Sequence, residues 1–366
     1  MGALVKHTVH VRNDQRCSKM TDDSHLTAPV NPAFIYKPSQ IRDITYYSEG
    51  LQRGDRYILS QAITLLESKV ESKRQLAMAL LAQLQESEET LRIGITGAPG
   101  VGKSTFIEAL GSYLVRIGHR PAILAIDPSS SKTRGSILGD KTRMHSLSSS
   151  AAAFVRPSPS SSSLGGTADM TREAISLCEA AGFNMILIET VGVGQSETEV
   201  AQMTDVNLLL LQPGAGDDIQ GIKRGIMEMA DIFVINKADG AQKILAEQSR
   251  QAYSLAVPFF RHELSGWQSP VLLTSAAEQT GITEVVRSLM DFIDLSKKSL
   301  VFAEKRRAQQ RYWFEKEMVR EIQTQAFRHQ QIREEYTALS KHLLEGNTTM
   351  FAAIRKMQTV IRQFFT

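Results

Sequence analysis

The rhythm of apolar and polar positions changes three times along this chain. Residues 1–38 are polar, with Pro29, Pro32 and Pro38 and no apolar periodicity, which predicts an unstructured tail or extension. Over 39–89 apolar residues return at helical spacing. Ile58, Leu59, Ala62, Ile63 and Leu66 mark one helix with Asp55 as its N-cap, and Leu76, Leu80, Leu81 and Leu84 mark a second. From 90 to 294 short apolar runs at 91–96, 122–126, 185–188, 206–211, 231–235 and 271–274 alternate with amphipathic stretches. That alternation predicts an α/β fold with a mostly parallel sheet covered by helices on both faces. Residues 295–366 read as purely helical and charged. There Ala308, Tyr312, Val319, Ile322 and Ala326 form a stripe that must pack on the chain's own core or on another copy.

Composition narrows the picture. The chain has 366 residues, 42% of them hydrophobic, enough for a substantial core, and a net charge of only +3. Lys and Arg form no cluster interleaved with aromatics, so no nucleic-acid partner is expected. No apolar run approaches the ~18–20 residues of a membrane span, so no membrane partner is expected either. Cys17 and Cys178 are isolated and fit a reducing compartment, with Cys178 read as an ordinary residue of a helix. The N-terminus lacks an apolar signal region and carries Asp14, Asp22 and Asp23, which points to the cytoplasm rather than to export or a transit peptide. Ser146 to Ser163 is serine-rich and reads by composition as a flexible loop.

The first chemical motif follows the first apolar run. Gly97-Ala98-Pro99-Gly100-Val101-Gly102-Lys103-Ser104 matches G-x-x-x-x-G-K-[ST], with Thr105 continuing into a helix. Glycines at these places let successive backbone N–H groups turn toward a phosphate, and the helix N-terminus adds its positive end. Lys103 supplies a point charge to the β and γ oxygens, and the Ser104 hydroxyl is placed to hold Mg²⁺.

The run at 231–235 ends in Asn236-Lys237-Ala238-Asp239. A carboxylate at Asp239 accepts hydrogen bonds from the ring N1–H and 2-amino group of guanine, and adenine lacks that amino group. Asn236 can bond the purine edge and brace the loop, while the Lys237 stem covers the base face. Ser275, Ala276 and Ala277, after the last run, complete the pocket with a backbone N–H for guanine O6. The expected ligands are therefore GTP and GDP. The run at 185–188 ends in Glu189-Thr-Val-Gly192-Val-Gly194-Gln195; the acid faces the metal, and the Gly192 N–H faces the γ-phosphate. Gln195 is either a water-orienting group or a helix-start residue. Asp127 and Asp140 are each equally readable as metal ligands or as caps and turns.

With these residues in hand, the chain resembles the MeaB/ArgK group, GTPase chaperones of coenzyme-B12-dependent methylmalonyl-CoA mutase. The resemblance rests on AIDPSSSKTRGSILGDKTRM (125–144), FVRPSPSSSSLGG (154–166), IETVGVGQSETEV (188–200) and PGAGDDIQGIKRGIMEMADIFVINKADG (213–240), and covers about 40–366. It implies a P-loop NTPase G domain at 90–294, an N-terminal helical segment at 39–89 and a helical arm at 295–366 that makes a homodimer. It also implies that Ser104, Asp127, Asp140 and Glu189 surround Mg²⁺. Lys103, Glu189 and Gly192 would serve hydrolysis, and Lys223 would lie in a third segment that responds to the partner. The Ser-rich loop should then be ordered, against its composition. Arg134 departs from the family, which usually has a second glycine there. The implied function is GTP hydrolysis that gates adenosylcobalamin delivery to a B12-dependent acyl-CoA mutase and protects the loaded enzyme, with an adenosyltransferase as a further candidate partner. The rival readings are a nickel-insertion GTPase, an ATP-dependent kinase linked to amino-acid transport, and a nucleotide-gated scaffold with negligible turnover.

Overall fold

The apolar runs meet in one sheet of seven parallel strands, ordered β3-β2-β4-β1-β5-β6-β7. These are β1 (Leu91–Gly97), β2 (Pro121–Ile126), β3 (Phe154–Arg156), β4 (Met185–Thr190), β5 (Val206–Leu211), β6 (Ile232–Ile235) and β7 (Val271–Leu273). The coordinates are a computed structural model that describes residues 42–366 except 69, 86, 127–143, 157–165, 191–198, 215–223, 261, 263 and 364–366. Strands β1, β4, β5 and β6 are buried along their whole length. A strand covered on both faces has no polar side, which is why these segments read as continuous apolar runs.

Alternation along the strands separates two faces. Leu91, Ile93, Ile95, Met185, Leu187, Leu208 and Leu210 pack against α4 (Lys103–Arg116) and α9 (Ile282–Lys298) through Phe106, Leu110, Val285 and Leu289. On the opposite face Ile186, Ile188, Ala122 and Leu124 pack against α1 (Ile44–Gln52), α2 (Arg56–Leu66), α3 (Glu71–Leu81) and α6 (Gly166–Ala180). Asp55 caps α2 as expected, accepting from the N–H groups of Tyr57 at 2.8 Å and Ile58 at 3.2 Å. Cys178 of α6 is fully buried, and its apolar surroundings push the thiol well above its ordinary range. A smaller cluster joins Leu209, Leu211, Phe233 and Ile235 to Ala246 and Tyr253 of α8 (Lys243–Ala256).

The Ser-rich stretch corrects the compositional reading. Its first part holds helix α5 (His145–Ser149), with Leu147 buried in the core, and leads to β3, a strand the apolar pattern did not reveal. Arg156 of β3 is fixed by Glu67 at 2.6 Å, and Arg56 donates to the Ser150 carbonyl at 2.6 Å. The first is an ion pair and the second a side-chain-to-backbone bond; both tie the N-terminal helices to this edge.

After the short helix α7 (Arg224–Glu228) and β6, the chain ends in α10 (Val301–Arg328), α11 (Gln330–Leu344) and α12 (Met350–Arg362). The expected stripe on α10 does not dock on the core: Ala308, Tyr312, Val319 and Ile322 are exposed. A different and more polar face does, carrying Phe302, Arg306, Gln309 and Trp313. At the N-terminal ends of the strands, Arg92 of β1 and Glu179 of α6 form a buried ion pair at 2.7 Å. Arg306 adds bonds to the Asp205 carboxylate and, at 2.8 Å, to the Thr90 carbonyl.

Candidate functional site

The site lies where β1, β4 and β6 end at their carboxyl edges, the place where open parallel sheets bind ligands. β1 runs into Gly97, whose added Cβ would sit 2.5 Å from the Leu210 carbonyl; only glycine allows the chain to turn off the sheet there. Gly102 has φ +93°, a left-handed conformation favouring glycine, and its place before Lys103 starts α4 directly. No side chain caps α4, so the N–H groups of its first turn are donors presented at the loop. Lys103 is nearly buried, and its ammonium donates to the carbonyls of Gly97 at 2.8 Å and Ala98 at 3.2 Å. The cation is therefore held over the loop whose N–H groups would meet phosphate.

Two residues of the second motif lean on the first. Asn236 Nδ2 donates to the Val101 carbonyl at 3.0 Å, and Lys237 Nζ donates to the Gly100 carbonyl at 2.6 Å. Lys237 takes φ +61°, which bends the chain out of β6 toward the loop. The third segment is tied to the second. Asn236 Oδ1 accepts from the Ala276 N–H at 3.2 Å and the Thr274 hydroxyl at 3.3 Å. Ser275 Oγ donates to Asp239 and accepts from the Glu278 N–H at 3.1 Å. Asp239 is thus aimed by its own hydroxyl partner. Gly281 makes the return turn at φ +76°, where a Cβ would lie 2.1 Å from the Leu273 carbonyl.

Glu189 is the penultimate residue of β4, beside β1 and in register with Ile95. It is buried, and Ser104 Oγ donates to its Oε1 at 3.2 Å. A hydroxyl and a carboxylate meeting at the phosphate loop form the oxygen donor set that suits a hard divalent cation. The extra methylene of Glu relative to Asp is compatible with this contact.

The structure brings together Gly97, Ala98, Gly100, Val101, Lys103, Ser104, Glu189, Asn236, Lys237, Asp239, Ser275 and Ala276 through these bonds, with Pro99, Gly102, Thr105 and Ala277 in the same loops. Asp127, Asp140, Gly192, Gln195 and Lys223 lie outside the described residues. The bracing role expected of Asn236 has a defined end point here, the Val101 carbonyl of the phosphate loop.

A parallel sheet with a glycine-rich phosphate loop, a lysine over it and a guanine-reading Asn-Lys-x-Asp motif defines a P-loop GTPase. A family model described as "Methylmalonyl Co-A mutase-associated GTPase MeaB" matches residues 59–331, and the chain belongs to that family. It is 46% identical over 278 residues to "GTPase ArgK" of Escherichia coli (strain K12), covering 76% of this chain and 84% of that protein. It is 44% identical over 309 residues to "Methylmalonic aciduria type A homolog, mitochondrial" of Mus musculus, covering 81% and 74% respectively. The solved structure described as "LAO/AO transport system kinase" superposes with a TM-score of 0.69 at 34% identity, covering 88% of this chain and all of that one. Among the described residues, no helix is long and apolar enough to cross a membrane.

Proposed function

We propose that this GTPase gates the delivery of adenosylcobalamin to a B12-dependent acyl-CoA mutase of the methylmalonyl-CoA type and protects the loaded enzyme. The observation that carries this reading is a family match over 59–331, described as mutase-associated, on a chain with a braced guanine pocket. In this reading Lys103 and the N–H groups of the α4 N-terminus hold the phosphates and offset the charge that develops on the transferring group. Ser104 and Glu189, with Asp127 and Asp140, would hold Mg²⁺, which when bound neutralises phosphate charge. Asp239 reads guanine, the Ala276 and Ala277 backbone faces O6, and Gly192 contacts the γ-phosphate. Lys223 belongs to the segment that answers the partner.

The division into a helical segment at 39–89, a G domain at 90–294 and an arm at 295–366 belongs to the same proposal, as does a cytoplasmic location. A second copy of the chain is the proposed occupant of the arm. The support is apolar exposure along α10–α12: Phe314, Val319, Tyr336, Leu344 and Phe351 all face outward. An adenosyltransferase remains a candidate second partner.

The test is a pull-down of a purified B12-dependent acyl-CoA mutase on the immobilised chain, run with GDP and with a non-hydrolysable GTP analogue. Nucleotide-dependent retention is expected. Equal absence of binding in both states, with nucleotide binding intact, overturns the mutase assignment.

A further inference from the structure

At the amino ends of β5 and β6, away from the phosphate and guanine loops, the described residues surround an open cavity of about 960 Å³. That is the size of a small-molecule site. One wall is the start of α10, through Val301, Glu304, Ala308 and Gln309. The facing wall is Glu228 at the end of α7 and Met229 after it, with Phe259 and Phe260 beside them.

Several polar groups of the lining are already committed to the fold. His262 Nδ1 accepts from the Leu264 N–H at 3.0 Å, so its proton sits on Nε2, which donates to Asp231 Oδ1 at 2.7 Å. Asp231 Oδ2 accepts from the Asn207 N–H at 2.7 Å, and Lys305 Nζ donates to the Asp205 carbonyl at 2.9 Å. Gln309 is committed at one end only. Its Nε2 donates to the carbonyls of Thr204 at 2.8 Å and Ala201 at 3.2 Å. Those bonds fix the amide, because the flipped form would set oxygen against two oxygens. Its Oε1 has no hydrogen-bond partner among the described residues, although the residue is only 4% exposed. A buried acceptor without a donor is costly to the fold, and a donor delivered into the cavity removes that cost.

The rest of the lining favours one kind of donor. Glu228 and Glu304 are exposed, and with Asp231 they make three carboxylates against the one ammonium of Lys305 among the described lining residues. Phe259 is 85% exposed, an aromatic face left in water at the same cavity. Such faces attract cations. Met229, Val301 and Ala308 add apolar surface.

We infer that the cavity binds a cation carried on an apolar stem, a primary ammonium or a guanidinium. Its N–H groups donate to Gln309 Oε1 and to the Glu304 carboxylate, Phe259 covers the charge, and the stem lies on Met229, Val301 and Ala308. An anion is repelled by the carboxylates, and a neutral guest without a donor leaves the Gln309 acceptor unpaired. The cavity uses none of the nucleotide residues, so its occupation is measurable with GDP bound.

The experiment titrates phenethylammonium into the full GDP-bound chain by calorimetry, with phenethyl alcohol and hydrocinnamate as neutral and anionic controls. The ammonium is expected to bind about tenfold or more tighter than either control. Phe259→Ala and Glu304→Gln are each expected to weaken it about threefold and Gln309→Met about tenfold, with GDP affinity unchanged. The first two change exposed positions, so they carry the test if Gln309→Met fails to fold. No binding up to ~10 mM ammonium, equal binding of the alcohol, or full affinity in both exposed variants overturns the inference. An acetylated and amidated Leu-Lys-Leu peptide identifies the source. Tighter binding than phenethylammonium assigns the site to a partner protein's side chain and weaker binding to a free amine; both outcomes support a cation site.

Discussion

At the carboxyl edge of the sheet, the guanine and phosphate loops are held to one another chiefly by bonds in which a side chain meets backbone: Asn236 to Val101, Lys237 to Gly100 and Ala276 to Asn236. At the opposite edge, Arg92, Glu179, Asp205 and Arg306 meet side chain to side chain with almost no exposure. The first edge gains geometry: side chains fix the loops through their backbone, while the N–H groups that open α4 have no side-chain cap and stay available to a ligand. The second gains a fixed attachment of α10 but buries four charges, an arrangement that destabilises sharply when one member is lost. Nucleotide chemistry and structural integrity are thus assigned to opposite ends of the same strands, and substitutions can test whether they separate.

The largest expected effect is at the carboxyl edge. Lys103→Ala removes the charge over the phosphate loop and should lower GTP turnover by about 10³ or more; persistent wild-type turnover in a contaminant-free preparation sinks the phosphate-loop assignment. Asp239→Asn should weaken GTP by several kcal/mol and favour xanthosine triphosphate, whose 2-oxo group accepts from the new amide. Competition binding with both nucleotides checks this, and a GTP affinity within about twofold of wild type places the base elsewhere.

The opposite edge predicts the reverse profile. Arg306→Met strands the Asp205 carboxylate and should cost about 3 kcal/mol of stability by denaturant unfolding, with nucleotide affinity unchanged in the folded fraction. If nucleotide affinity and stability fall together, the two edges are not separable. The arm gives a related contrast. Deleting 296–366 removes Phe302, Arg306, Gln309 and Trp313 and should leave an unfolded product, whereas Leu344→Glu with Phe351→Glu should give a folded monomer by light scattering.

The smallest effect concerns Cys178. Its pKa is raised by burial, so the unfolded chain loses the thiol proton first as pH rises. The stabilisation is complete below the ordinary thiol value of about 8.5, and above it should decline by about 1.4 kcal/mol per pH unit. Cys178→Ala should remove that slope; an unchanged slope assigns it to other groups.

The same contrast explains what could be read from the chain alone. The candidate nucleotide residues sit in two short motifs and one strand end, so local spacing singled out Lys103, Asn236 and Asp239 as candidates, and the buried parallel strands announced themselves as apolar runs. Strand β3 was hidden because three residues, Phe154–Arg156, sit in a serine-rich context and are held by pairing with β2 and by Arg156 reaching Glu67. The docking face of α10 was hidden for a different reason. It is built from Arg306, Gln309 and Trp313, while the more apolar stripe is exposed, so a rule that looks for an apolar face points past the residues that dock. Arg92 inside an otherwise apolar strand was the one legible signal of the charged cluster.

The bond from Arg306 to the Thr90 carbonyl spans 216 residues of chain. During synthesis the start of β1 leaves the ribosome long before Arg306 exists, an interval of about 10–45 s at ordinary elongation rates. In roughly its last third, the charged cluster at the base of the sheet still lacks one of its two cations, although the phosphate loop and the guanine motif are by then made. The nascent chain therefore has its nucleotide-binding parts before it has its latch. GTP or GDP present in the cell is positioned to act as the first stabiliser of the emerging domain, favouring its folded form by mass action until the last helices arrive.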